Sequence, residues 1–174
     1  IVVAKNDEAH NNLVHQFASR LIRRTYTALI WGSPIKNSFQ INAPIGRSRR
    51  NRKKMAVVNN GGKSAVTNIE TLERFGTSAT LIKCRLETGR THQIRVHTCH
   101  IGYPIIGDPV YGSGKIREGI NDEQRIIIKS LRRQALHAGN LSFKHPKTQE
   151  ICCFKSQLPR DMQYLTNAFR AYFS

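Results

Sequence analysis

The sequence predicts an α+β domain whose sheet is mixed but mostly antiparallel, with helices flanking it. Two patterns carry this. Segments of alternating or β-branched character outnumber the helical ones, and several are joined by short turns rich in Gly, Asn and Pro. A doubly wound sheet would instead place a helix between successive strands. The 174 residues are of single-domain length and can bury a proper core. No repeat, low-complexity tract or linker divides them.

Residues 1–4, I-V-V-A, read as a buried strand with no turn and no signal-peptide pattern before it. Further residues are therefore expected upstream of Ile1. Asn6 or Asp7 then caps a helix to about Ile22, with Ala9, Leu13, Phe17 and Leu21 recurring every four residues. Arg20, Arg23 and Arg24 crowd its C-terminal end, where the dipole favours cations. Residues 25–31 form an aromatic and β-branched strand stopped by Gly32 and Pro34, and 39–41 are again extended. Residues 55–58 and 65 onward are expected to pair as a hairpin about the N-N-G-G turn at 59–62, with the second arm ending near Phe75.

A strand over 78–86 leads to a helix capped by Thr91, carrying Ile94, Thr98 and Ile101 at i, i+4, i+7 and stopped by Gly102. Residues 102–112 are turn-rich, with Ile105, Ile106 and Val110 of buried character, and 113–125 read as a polar, mobile excursion. A short helix over 123–130, a segment over 135–143 and a strand over 151–154 follow. The last helix opens at Pro159 and carries Met162, Leu165, Phe169 and Tyr172 on one stripe.

Charge narrows the partner. Net charge is +17, from 28 Lys and Arg against 11 Asp and Glu. Such an excess repels itself in a compact state and suits a polyanion. Nucleic acid fits better than a membrane, because no basic amphipathic helix carries a bulky apolar face. Residues 47–54 hold six cations and no anion. As a hairpin tip they could lie on phosphates through Arg47, Arg49, Arg50, Arg52 and Lys53; a solvated loop is the plainer reading.

The other concentration is L-E-T-G-R-T-H-Q-I-R-V-H at 86–97. The start of its helix offers N–H groups and positive dipole to an oxyanion, with Arg90, His92 and Gln93 as substrate-binding candidates. On spacing alone, a solvated basic helix remains equally open.

Other chemistries lack their residues. G-G-K-S at 61–64 has valine (Val57) where a P-loop needs its first glycine, and no G-x-S-x-G occurs. The carboxylates are few and unpaired, and Asp108 in G-D-P suits an Asx turn. Cys84, Cys99, Cys152 and Cys153 contain no C-x-x-C and read as reduced thiols of a cytoplasmic protein. His97 and Cys99 do not share a helix face, so no metal is expected, and no cofactor. Tyr26, taken alone, reads as a sheet-face tyrosine.

Six segments taken in order resemble one family: R-T-Y-T-A-L (24–29), P-I-G-R (44–47), G-K-S-A-V-T (62–67), the 86–97 block, G-Y-P-I-I-G-D-P-V-Y-G (102–112) and A-L-H-A (135–138). They are similar to the RluA/RluD-type pseudouridine synthases, and Q-A-L-H-A with F-K-H-P is most like the large-subunit ribosomal RNA branch. The resemblance covers nearly the whole chain. It implies a bent, mostly antiparallel sheet with a cleft across its middle, and isomerisation of uridine to pseudouridine in RNA without cofactor or metal. It places the family's active-site tyrosine on Tyr26 and its aspartate-pairing arginine on Arg95. A flipped uridine needs an aromatic face to rest on, and an arginine keeps a closed-in aspartate ionised.

One part is missing. The family's aspartate lies in R-L-D-x-x-T-S-G just ahead of a strand like I-V-V-A, and none of the 11 acidic residues stands in an equivalent place. Residues 1–174 are thus expected to be a catalytic domain without its N-terminal part, inactive alone and monomeric. The alternative is a non-catalytic RNA-binding or ribosome-assembly protein of the same fold.

Overall fold

The computed structural model describes residues 2–112 and 116–173. Four helices, α1 (Asp7–Ala18), α2 (Gln93–His100), α3 (Asp122–Ser130) and α4 (Arg160–Phe173), flank two sheets. The larger has the order β2 (Ser38–Asn42), β5 (Val66–Phe75), β6 (Ala79–Leu86), β1 (Arg23–Trp31), β7 (Leu136–Lys144), β8 (Ile151–Lys155), and all its pairs are antiparallel. The smaller pairs β3 (Ile45–Arg47) with β4 (Met55–Val57). The expected α+β class with a mostly antiparallel sheet is what the chain forms. Register shifts at Thr25/Tyr26 and Thr71/Glu73 mark bulges, which bend and twist the strands.

Strand alternation assigns the two faces of the large sheet. Tyr26 lies opposite Cys84, and Cys84 opposite Ile69, so Arg24, Tyr26, Ile69 and Thr67 share one face. Helix α2 covers that face, since His97 bonds to Thr67. So does α1, whose Leu13 packs with Phe143 and Leu141, Leu141 lying opposite Arg24. Tyr26 therefore stands between the two helices. Helix α4 covers the other face through Phe169 on Phe75 (ring centroids 5.4 Å) and the Arg170–Glu73 ion pair.

Four expectations need correction. Residues 2–4 form no strand; Val2 and Ala4 pack sideways on Leu13 and Phe143. Helix α1 stops at Ala18, because Arg20 turns left-handed (φ 57°) to bury Ile22 in that cluster, and Arg23 and Arg24 join β1 instead. Met55–Val57 pairs with Ile45–Arg47, not with 65 onward, leaving β5 free to join β2 and β6. The basic run is therefore the tip of the β3–β4 hairpin. Tyr172 is exposed, and Phe173 takes the contact with Gly76, where a Cβ would lie 2.6 Å from its ring.

In the expected excursion, residues 113–115 lie outside the described residues. Its remainder is tied down: Ile116 and Ile120 pack on the core, and Ser78 Oγ donates to the Gly119 carbonyl at 2.6 Å. No helix among the described residues is long and apolar enough to cross a membrane.

Candidate active site

The turn from β6 into α2 is built on a closed hydrogen-bond chain. Thr88 Oγ1 accepts from Val66 N (2.9 Å) and donates to Gln93 Oε1 (2.7 Å), which also accepts from Arg90 N (3.0 Å). Gln93 Nε2 donates to Val66 O and to Thr67 Oγ1, at 2.9 and 3.0 Å. Thr67 passes its own proton to His97 Nδ1 (2.9 Å), so the imidazole proton sits on Nε2 and is donated to Ala43 O (2.9 Å). Every member has a partner, the condition under which a buried polar network rigidifies a core.

Two expectations fall here. Gln93 is buried with its whole amide engaged, so it shapes the turn and does not face a substrate. Thr91 does not cap α2: His92 is the N-cap in a left-handed conformation (φ 57°) with no side-chain cap bond, because the helix starts where Gln93 folds into the sheet. Residues 93–98 are all buried, which removes the solvated-helix reading.

Burial lowers the pKa of His97 below its usual value, despite its bond to Ala43 O. A depressed folded value means that the unfolded chain binds the proton more readily, so stability rises with pH. His97's contribution should be complete above about pH 6.5 and fade as pH falls toward the folded value. Urea midpoints measured from pH 7.5 down to 5 should drop less steeply for His97→Gln than for wild type. Parallel curves would exclude His97 as the titrating group.

Arg95 is held by a partner that sequence reasoning did not find. Its Nε and Nη2 donate to the two carboxylate oxygens of Asp108 at 2.7 and 2.8 Å. The side chains are 10% and 0% exposed. Asp108 Oδ1 also accepts from Val110 N and Tyr111 N, which is the expected Asx turn, but the carboxylate is not unpaired. Burial alone would raise the Asp108 pKa; the Arg95 guanidinium and the Tyr111 and Val110 N–H groups outweigh it and hold the carboxyl low. In turn, the bond to Asp108 raises the pKa of Arg95. Arg95 Nη1 has no acceptor among the described residues, and the guanidinium carbon lies 4.9 Å from the centre of the Tyr111 ring.

Tyr26 sits between Cys84 of β6 and Ala138 of β7, at the bulge, and its hydroxyl bonds to no described residue. Arg24, two residues earlier on the same face, stacks over Phe17 (5.5 Å) and lies against Gly89. A Cβ at 89 would fall 2.5 Å from Arg24 Nη1, so glycine there lets the guanidinium reach the turn.

The cations of the hairpin are arranged unevenly. Arg47, Arg49, Arg50, Arg52 and Lys53 are exposed, while Lys54 Nζ is tied to Val110 O at 2.7 Å. Ser48 and Asn51 shape the tip through bonds to Asn51 N and Lys53 N. Arg90 Nε donates to Ser64 O (3.0 Å), and exposed His92 reaches Tyr111 Oη through Nδ1 (3.0 Å). Tyr111 also accepts from Met55 N (3.1 Å). The structure thus gathers the hairpin, His92 and Arg95 around Tyr111. The only hint of this in the sequence is an aromatic hydroxyl three residues after Asp108.

The profile of the family described as RNA pseudouridylate synthase matches residues 1–100. The chain is 45% identical to an RNA pseudouridine synthase of Bacillus subtilis, YlyB, over 98% of its own length and 52% of that protein's. It is 46% identical to ribosomal large subunit pseudouridine synthase D of Pseudomonas aeruginosa, again over 98% and 52%. It therefore spans about half the length of the curated relatives it matches. Among solved structures, it superposes on human RNA pseudouridylate synthase domain containing 1 with a TM-score of 0.71 at 25% identity, covering 97% of this chain and 74% of the other.

Proposed function

The chain belongs to the RNA pseudouridylate synthase family, of the RluA/RluD type, and from that premise we propose that it isomerises uridine to pseudouridine in RNA, with large-subunit ribosomal RNA as the substrate. The observation that carries this reading is the Arg95–Asp108 fork: a buried guanidinium aimed by two bonds, with Nη1 left over. That donor suits a second carboxylate, the nucleophilic aspartate the family requires, which is assigned to a residue outside these 174. Asp108 itself is already engaged by two Arg95 nitrogens and two backbone N–H groups.

In this reading the target uridine leaves its stack, at a cost of a few kcal/mol, and rests on the Tyr26 ring. The aspartate opens the reaction, the bond between N1 and the ribose breaks, and the uracil turns and rejoins through carbon-5, which releases its proton. Reactants and products are isomers, so no cofactor is consumed. A purely RNA-binding role would leave the oriented Arg95 and the unbonded Tyr26 hydroxyl without use.

The decisive test supplies the complete protein with large-subunit ribosomal RNA tritiated at uridine carbon-5. Tritium release is expected, and none from residues 1–174 alone. No release from the complete protein defeats the assignment; turnover by 1–174 defeats the placement of the nucleophile.

RNA affinity gives a separate check on the hairpin. Replacing Arg49, Arg50, Arg52 and Lys53 by Ala should reduce the dependence of log affinity on log salt by about 0.7–0.9 for each cation that had touched a phosphate. An unchanged slope would mean that the hairpin does not meet the RNA backbone.

A further inference from the structure

Tyr111 contacts the basic hairpin, α2 and the Asp108 turn at once. Its hydroxyl accepts from Met55 N, in the stem pair next to the basic tip, and meets His92 Nδ1 at the start of α2. Its ring lies under the Arg95 guanidinium and edge-on to His92, with centroids 5.7 Å apart at 74°. Its N–H donates to Asp108 Oδ1, and its carbonyl accepts from Cys99 Sγ at 3.3 Å. The neighbouring residue adds a second strap, Lys54 Nζ to Val110 O.

We propose that Tyr111 is a positioning residue that fastens the basic hairpin to the start of α2, so that RNA engaged by the hairpin and the Arg95 guanidinium form one rigid unit. This rests on the synthase reading above and extends it from single residues to their coupling.

Proton accounting supports a specific link over simple filling of space. A tyrosine hydroxyl has one proton. The Met55 N–H is donated to the oxygen, and the hydroxyl and His92 Nδ1, 3.0 Å apart, share one further bond whose direction follows the His92 tautomer. Burial and the Arg95 charge lower the His92 pKa, which favours the neutral imidazole that can make this bond in either direction. Phenylalanine would pack the ring equally well but could not join the two elements.

The hairpin has need of such a link. It holds only three residue pairs, Ile45↔Val57, Gly46↔Ala56 and Arg47↔Met55, and a two-stranded ribbon is marginal by itself. Its bearing is set by a small cluster of Ile45, Ala65 and Val96, on which Met55, Val57 and Tyr111 pack. Backbone bonds between Ile45 and Lys63 and from Val58 N to Pro44 O hold its root, and the Tyr111 and Lys54 bonds fasten the other end, where the exposed cations leave the stem.

The test is a double-mutant cycle in the complete protein, combining Tyr111→Phe with Arg49→Ala/Arg50→Ala. Wild type should lose both kcat and RNA affinity when the two arginines go. Tyr111→Phe alone should lower kcat about tenfold with RNA affinity within twofold, and the combined variant should lose affinity with no further fall in kcat. Additive losses in kcat, or an unchanged kcat in Tyr111→Phe, overturn the proposal.

A second arm needs no activity. Hydrogen exchange should show RNA protecting amides 92–95 in wild type but only the hairpin in Tyr111→Phe. Equal protection in both overturns the coupling. A wild-type protein that makes no pseudouridine, yet shows this difference, would defeat the synthase reading and leave the coupling standing.

Discussion

Asp108→Asn should destabilise the fold by about 3–5 kcal/mol, the usual cost of leaving one member of a buried ion pair without the other. The substitution is nearly isosteric and keeps an oxygen for Val110 N and Tyr111 N, so the loss reports on charge more than on shape. Arg95 would remain buried and protonated with its counter-charge gone. Against a typical domain stability of about 5–15 kcal/mol, that is a large share. Urea unfolding would measure it. Arg95→Met in the Asp108→Asn background should recover part of the loss, because the stranded charge is then removed as well.

The pair also has its own acid signature. A depressed carboxyl pKa stabilises above the unfolded value of about 3.9 and is lost as pH falls through the folded one. Wild type should thus show an acid limb below about pH 4 that Asp108→Asn lacks, well separated from the His97 window. By contrast, the solvent-accessible Lys83–Glu70 and Arg125–Asp122 pairs should each contribute less than about 1 kcal/mol. A loss of that small size for Asp108→Asn would show that the buried fork is not holding Arg95.

The features legible in the sequence were the local ones. Periodicity located α4, because a stripe such as Met162, Leu165 and Phe169 is visible within one segment, and aromatic and β-branched residues located β1. Residue type marked the 47–54 run, and the resemblance singled out Tyr26 and Arg95. What escaped was pairing between segments. The N-N-G-G turn is a strong hairpin signal, yet β4 closed back over the basic run onto β3, a choice set by where Val66 onward could join β2 and β6.

Gln93 reads from sequence as a substrate-binding candidate because nothing in its type reveals that Val66 O and Thr67 Oγ1 wait beneath it. The Arg95–Asp108 fork spans thirteen residues through a turn, so neither partner announces the other. Arg24 was read as the end of a helix because the apolar period runs on through Leu21, although the chain turns at Arg20. These misses share one cause: the site is assembled from turns whose polar side chains face inward, where composition predicts outward.

Tyr26→Phe in the complete protein should lower turnover by about 10²–10⁴-fold, the range for losing a positioned acid–base group, with RNA affinity retained. The argument is geometric. The Tyr26 hydroxyl has no bond to any described residue, so removing it leaves no donor or acceptor orphaned in the fold and stability should hold. The aromatic face that carries the flipped base survives in Phe. Tyr26→Leu should lose that face too, weakening binding of the target nucleotide by a further ~1–3 kcal/mol while the same β-strand register is kept by backbone pairing with Cys84 and Ala138. Single-turnover rates and RNA dissociation constants for both variants separate the two contributions. If Tyr26→Phe turns over at the wild-type rate and only Tyr26→Leu fails, the residue is a stacking platform, and the proton must be handled by another group in the cleft.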